Sequence, residues 1–191
     1  MSPAPARILV LTAGFGEGHN AAARNLAAAL EAENGPGTAR VADLFALTSP
    51  RLDAAARRGY LAAINHAPRL WRGFFAWLDR AQPLPRHLWI LRREQSRLNR
   101  LVAEYRPSAV CSTYPVYGFM LDALAAAGAA CGPHYNIVTD SISIHSLWRL
   151  PRCAGWFVPN PDTAAVLAAA GIPGERIHAL GFPVPAALAA D

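Results

Sequence analysis

Residues Gly14-Phe15-Gly16-Glu17-Gly18-His19-Asn20 follow directly on the apolar run Ile8-Leu9-Val10-Leu11 and lead into the alanine-rich stretch Ala21–Leu30. Strand, glycine turn and helix in that order bring bare backbone N–H groups and the positive end of a helix to one point, an arrangement suited to phosphate. His19 adds a side chain able to take or give a proton near neutral pH. The combination points to an enzyme handling a phosphorylated substrate. Two common phosphate motifs are excluded. A P-loop ends in Gly-Lys-Ser/Thr, and the chain contains no lysine. A dinucleotide fingerprint needs a third glycine where His19 stands.

The elements that must position these residues alternate along the chain. The sequence predicts strands over Arg7–Thr12, Ala39–Leu44, Ala109–Thr113, Tyr135–Thr139, Gly155–Pro159 and Ile177–Leu180. Helices are predicted over Asn20–Glu33, Pro50–Asn65, Arg69–Arg80, Arg86–Tyr105, Gly118–Ala127 and Pro161–Ala170, the last opened by Asn160-Pro161 and stopped by Gly171. Such alternation is the signature of an α/β fold, a Rossmann-like parallel sheet with helices on both faces. Ligands of such sheets bind beyond the carboxyl ends of the strands. Those ends carry Gly14–His19, Tyr114-Pro115, Asp140–His145, Asn160 and Gly181-Phe182-Pro183. The unusual residues of the chain therefore gather on one edge.

Composition narrows the class. At 191 residues, with 53% apolar and 16% charged, the chain is sized for one globular domain with a real core. No apolar run approaches the roughly 18 residues of a membrane span, and the first residues do not form a signal peptide. Cys111, Cys131 and Cys153 are odd in number and lack metal-type spacing, so a reducing cytoplasm and no metal are expected. A pI near 9.6 suits an anionic membrane surface or nucleic acid, and charge alone does not choose between them.

The middle of the chain is the second anomaly. Nine of the 18 arginines lie between His66 and Arg106, interleaved with Trp71, Phe74, Phe75, Trp77 and Trp89. Arg69, Trp71, Arg72, Phe74 and Phe75 fall at helical spacing as a basic helix with an aromatic side, which is what lies in a membrane interface. The alternative is that the aromatics pack on the sheet while the arginines face water. Nucleic acid is the weakest partner, because the basic residues are interleaved with bulky apolar ones and match no recognised motif.

With these pieces in place, the chain resembles the N-terminal domain of the monogalactosyldiacylglycerol synthase and processive diacylglycerol glucosyltransferase family. The matching pieces are Gly16-Glu17-Gly18-His19-Asn20-Ala21-Ala22, Thr113-Tyr114-Pro115, and Val138-Thr139-Asp140 with His145 and Trp148. Phe157-Val158-Pro159, Gly171-Ile172-Pro173 and Gly181-Phe182-Pro183-Val184 complete them. The resemblance implies one half of a GT-B fold: residues 1–184 as an acceptor-binding domain, 185–191 as the start of a linker, and a donor domain supplied in cis or in trans. It implies an inverting, metal-independent transfer of a hexose from UDP-glucose or UDP-galactose to a diacylglycerol-type lipid, with no organic cofactor. His19 and Asp140 would be catalytic. Gly16, Gly18, Asn20, Tyr114, Pro115, His145 and Trp148 would meet acceptor or phosphate, and the enzyme would sit on the inner face of the cell membrane. One departure is Glu17, where relatives commonly carry glycine: a carboxylate beside a phosphate cradle is unfavourable unless it turns away.

Two other readings remain open on the sequence. One is a dinucleotide-binding Rossmann domain in which Asp43, at the end of the second strand, binds the ribose. The other is a non-catalytic module that binds membrane lipid.

Overall fold

The computed structural model describes residues 6–67, 69, 70, 73, 87–141 and 144–188. Six strands form one sheet: β1 (Ile8–Thr12), β2 (Ala39–Asp43), β3 (Ala109–Ser112), β4 (His134–Ile137), β5 (Gly155–Val158) and β6 (Ile177–Ala179). Their spatial order is β2-β1-β3-β4-β5-β6, and every neighbouring pair is parallel. Each predicted strand is present, with ends that differ by one or two residues. Parallel pairing requires crossovers, and the helices supply them.

Those helices are α1 (Glu17–Asn34), α2 (Leu44–Thr48), α3 (Pro50–His66), α4 (Arg92–Tyr105), α5 (Val116–Ala126) and α6 (Pro161–Ala169). Leu9, Val10 and Leu11 are fully buried, so β1 is covered on both faces, as a parallel strand must be. Leu9 and Leu11 pack with Leu98, Leu101, Val102, Met120 and Leu124 of α4 and α5. Val10 turns the other way, against Ala23, Leu26 and Leu30 of α1. A third cluster, built on Trp148, Trp156, Val158 and Leu167, closes the sheet at β5.

Several boundaries differ from expectation for local reasons. α1 starts three residues early, because Gly16 at φ 146° makes the reversal in a region closed to other residues, and Glu17 then suits the positive helix end. Gly18, His19 and Asn20 are thus first-turn residues of a helix. Leu44, expected in β2, instead opens the short α2, whose N-terminus is capped by Asp43 accepting from the Ala46 N–H. α5 begins at Val116, directly after Pro115, whose fixed φ favours a helix start. The predicted single helix over Arg86–Tyr105 resolves into a 3₁₀ turn at Leu88–Leu91 followed by α4. Asn160 caps α6 through the Thr163 N–H at 2.8 Å, and Gly171 at φ 88° follows its end. Trp71, Arg72, Phe74 and Phe75 lie outside the described residues.

Candidate functional site

The site is built from the bottom of the glycine turn upward. Tyr117, fully buried on α5, donates its hydroxyl to the Thr12 carbonyl at 2.7 Å and accepts from the Leu44 N–H at 3.1 Å. One side chain therefore pins the end of β1 to the start of α2. The Thr12 hydroxyl donates to Asn20 Oδ1 at 2.9 Å, which fixes the first turn of α1 over the strand end. Asn20 is a brace for this turn.

Asp43 locks the turn from the other side. Its Oδ2 accepts from the Gly14 N–H at 2.9 Å, while Oδ1 accepts from the Ala46 N–H at 3.0 Å. Both carboxylate oxygens are engaged, so Asp43 does not stand free as the ribose-binding acid of a dinucleotide domain. The same bond takes the Gly14 N–H out of any phosphate cradle. What stays open is the first turn of α1, where the cap residue Gly16 offers no side chain to its N–H groups. A Cβ on Gly18 would meet nothing within 4 Å. Glu17 does turn away: its carboxylate pairs with Arg24, two turns along the same helix. The Arg57 guanidinium of α3 lies against Gly14, where an added Cβ would stand 3.0 Å from Nη1.

His19 projects from that first turn into a built environment. Its Nδ1 lies 2.7 Å from the Thr139 hydroxyl at the end of β4. Its ring meets Tyr114 edge-on, with centroids 5.2 Å apart at 81°. Burial pushes its pKa below the ordinary histidine value, while the Asp140 carboxylate and a hydrogen bond from the ring to the Thr113 backbone carbonyl push it back up. The ring is thus mostly neutral near neutral pH. The Asp140 carboxylate is the nearby charge that favours the protonated form of this ring.

Tyr114 belongs to an aromatic group that sequence reasoning missed in part. Phe15 stacks on it at 5.8 Å and 21°, and Phe45 meets it edge-on at 6.0 Å. Phe15, Phe45 and Tyr114 are half-buried, an apolar wall beside His19. The signal available for it was Phe15 inside the glycine turn, a large apolar residue where small polar ones are usual. Thr139, also missed as a hydrogen-bond partner, lay within the quoted Val138-Thr139-Asp140 run.

Three expected contact residues have other surroundings. Trp148 is fully buried and touches the site only through its indole N–H, which donates to Asp140 Oδ2 at 2.8 Å. It offers no surface to an acceptor. His145 is buried too, and its Nδ1 accepts from the Leu147 N–H at 3.2 Å, opening the 3₁₀ turn Ser146–Trp148. Pro115 is the cap residue of α5. Gly181–Pro183 returns to α1, where the Asn25 amide donates to the Pro183 carbonyl at 2.9 Å.

Away from this edge, Arg92, Arg93, Arg97 and Arg100 of α4 line a groove of about 640 Å³ with Leu47 and Thr48 of α2. Among the described residues none of these arginines is in an ion pair. Leu47, Trp89 and Ile90 are each more than half exposed beside it, at 56%, 67% and 63%. Arg69 is exposed as well. The three cysteines are buried and in no disulfide; burial pushes the Cys111 thiol up to about 12 and Cys153 to about 11, which keeps these two protonated. Among the described residues no cluster of acidic, cysteine and histidine side chains could hold a metal, and no helix is long and apolar enough to cross a membrane.

Comparison with known proteins identifies the family. The family model for monogalactosyldiacylglycerol (MGDG) synthase matches residues 19–184. A processive diacylglycerol beta-glucosyltransferase of Bacillus cytotoxicus is 26% identical over 178 residues, covering 93% of this chain and 45% of that protein. Proteins of the same name from Bacillus thuringiensis and Bacillus cereus are 25% identical over the same share of each chain. The chain thus spans less than half the length of these relatives. By the extent of the family match, it belongs to the monogalactosyldiacylglycerol synthase family.

Proposed function

We propose that this chain is the acceptor-binding half of an inverting glycosyltransferase that moves a hexose from UDP-glucose or UDP-galactose to diacylglycerol or a related lipid. The observation that carries the reading is His19, held by Thr139 at the mouth of α1 with Asp140 acting on it, inside a match to a family of diacylglycerol glycosyltransferases. In the reaction the acceptor hydroxyl oxygen bonds to the anomeric carbon and that carbon's bond to phosphate breaks. UDP leaves with the bonding electrons. The hydroxyl proton passes to His19, whose new charge Asp140 stabilises. A single displacement of this kind inverts the anomeric centre. The uncapped first-turn N–H groups of α1 and the nearby Arg57 supply a positive environment for the leaving diphosphate. The half-exposed wall of Phe15, Phe45 and Tyr114 suits the apolar part of the acceptor.

In this reading residues 1–184 form the acceptor domain and 185–191 lead towards a donor domain. In the same reading the donor-binding half comes from further polypeptide, which the chain's 45% share of its relatives supports. The 191 residues alone, incubated with diacylglycerol and radiolabelled UDP-glucose or UDP-galactose, are expected to form no glycolipid. Joined to the carboxyl-terminal half of a relative, they are expected to form it. Absence of product from the joined protein, with product-competent relatives as control, would remove the transferase reading. A thermal-shift comparison tests the dinucleotide alternative, which predicts stabilisation by NAD(P) and none by UDP-sugars.

The site would work at the inner face of the cell membrane. Support comes from the four arginines of the α4 groove beside exposed Leu47, Trp89 and Ile90, a pairing of charge and apolar surface that suits an anionic interface. Each arginine near such a surface contributes about 1 kcal/mol. The protein is expected to sediment with phosphatidylglycerol vesicles and to lose most of that binding on Arg93→Gln/Arg97→Gln/Arg100→Gln. High salt should weaken the wild-type interaction, because the attraction is screened. Equal binding to neutral vesicles, unchanged in the triple variant, would speak against this surface.

A further inference from the structure

A line of buried polar groups runs from the middle of the sheet to the site, and the sugar-transfer reading uses none of it except its last member. His134 Nε2 lies 2.8 Å from Ser112 Oγ, whose hydroxyl donates to Asn136 Oδ1 at 2.9 Å. The Asn136 amide donates to the Trp148 carbonyl at 3.1 Å, and the Trp156 indole donates to the same carbonyl at 2.8 Å. The Trp148 indole N–H then donates to Asp140 Oδ2 at 2.8 Å. None of Ser112, His134, Asn136, Trp148 or Trp156 is more than 7% exposed.

The proton directions agree along the line. The single Ser112 proton goes to Asn136, so His134 must carry its proton on Nε2 and donate to Ser112. Its Nδ1 lies 3.5 Å from the Arg152 carbonyl, at the long limit of a hydrogen bond, so the short Nε2–Ser112 contact is the one that fixes the ring. Buried polar groups cost free energy unless all are satisfied, and a fully connected set fixes one geometry. Asp140 lies beyond the end of β4, and a residue outside the strand ladder does not hold its carboxylate still by itself. Here the indole ties Asp140 to Trp148, and two donors from β4 and β5 hold the Trp148 carbonyl.

We propose that Trp148 is a positioning residue, a buried indole that fixes the Asp140 carboxylate beside His19, and that Asn136 and Trp156 set its register from the sheet. This rests on the reading of Asp140 as a member of the reacting site. It also accounts for a large aromatic residue in the family motif that has no surface to offer a substrate.

The test is made on the 191-residue chain by NMR titration of the His19 imidazole, so it needs no sugar transfer. Asp140 pushes the His19 pKa up; the other charges around the ring are Glu17 and Arg24, paired with each other on α1, and Arg57 on the far side of Gly14. Asp140→Asn is therefore expected to lower the His19 pKa. Trp148→Phe keeps an aromatic ring in the core and removes the N–H, and should reproduce most of that fall with the carboxylate still present. Combined with Asp140→Asn it should add nothing further. Unchanged His19 titration in a folded Trp148→Phe, with the Asp140→Asn fall intact, would overturn the proposal and leave the transferase reading standing. If Trp148→Phe does not fold, the wild-type Trp148 indole N–H decides: its resonance must move with titration of the Asp140 carboxyl, and one that ignores that titration overturns the proposal. Failure of the joined protein to make glycolipid would strike the transferase reading and leave these titrations unaltered.

Discussion

His19→Ala, in the chain joined to a donor-binding half, is expected to lower kcat by roughly 10²–10⁴-fold, the range lost with a positioned general base. The fold should survive, because His19 is a half-buried first-turn residue and the turn is braced elsewhere, by Tyr117, Asn20 and Asp43. Circular dichroism and thermal melting check that point. The pH profile separates a base from a contact residue. Burial holds the His19 pKa below its ordinary value, so activity should rise with pH through a limb on the acid side of that value and then level off. Asp140→Asn removes the charge that raises this pKa. The limb should then move to still lower pH while the plateau falls, since the imidazolium formed during transfer loses its counter-charge. A loss below tenfold in His19→Ala, with an unaltered limb, would leave His19 as a structural residue of the helix end.

How much of this was legible depends on which physical rule governs each residue. The six strands follow from apolar runs of four to six residues bounded by turn signals, and a parallel sheet buried on both faces writes that pattern plainly. The edge that carries the site followed from the strand order of residues alone, because ligands of parallel sheets bind beyond the carboxyl ends. Side-chain direction was not written there. Trp148 sits beside Asp140 in the motif, yet its ring points inward, and only the packing against Val138, Trp156 and Leu167 decides that. Asp43 fitted the ribose-binding position equally well until its carboxylate was found on the Gly14 and Ala46 N–H groups. Leu44 extended β2 by its apolar character, but a capped aspartate before it starts a helix. Phe15 and Phe45 are far apart in sequence, and nothing short of the fold brings them to Tyr114.

Stability should fall steeply in mild acid, and His134 is the group that dictates the window. Burial pushes its pKa from the ordinary 6.5 down to about 4, and the Arg152 carbonyl recovers only part of that. A proton on His134 would place a charge in the core, a cost that the Arg152 carbonyl facing Nδ1 at 3.5 Å offsets only in part. The folded pKa lies below the unfolded one, so the unfolded chain binds the proton first as pH drops. The histidine's contribution is fully present above pH 6.5 and is lost progressively down to about pH 4. Each pKa unit corresponds to about 1.4 kcal/mol, which makes the loss about 3 kcal/mol across the window. His19, shifted in the same direction, adds to the slope, while Asp122, whose carboxyl is raised by burial, opposes it at the acid end. Urea unfolding at a series of pH values should show a flat region above neutrality and a decline below 6.5. In His134→Gln the protein should be weaker at neutral pH, having lost the Ser112 partner, but its decline should be shallower by most of that amount. A parallel decline in the two proteins would mean that His134 titrates normally in the folded state, and with it the neutral, Nε2-protonated end of the line that leads to Asp140 would be lost.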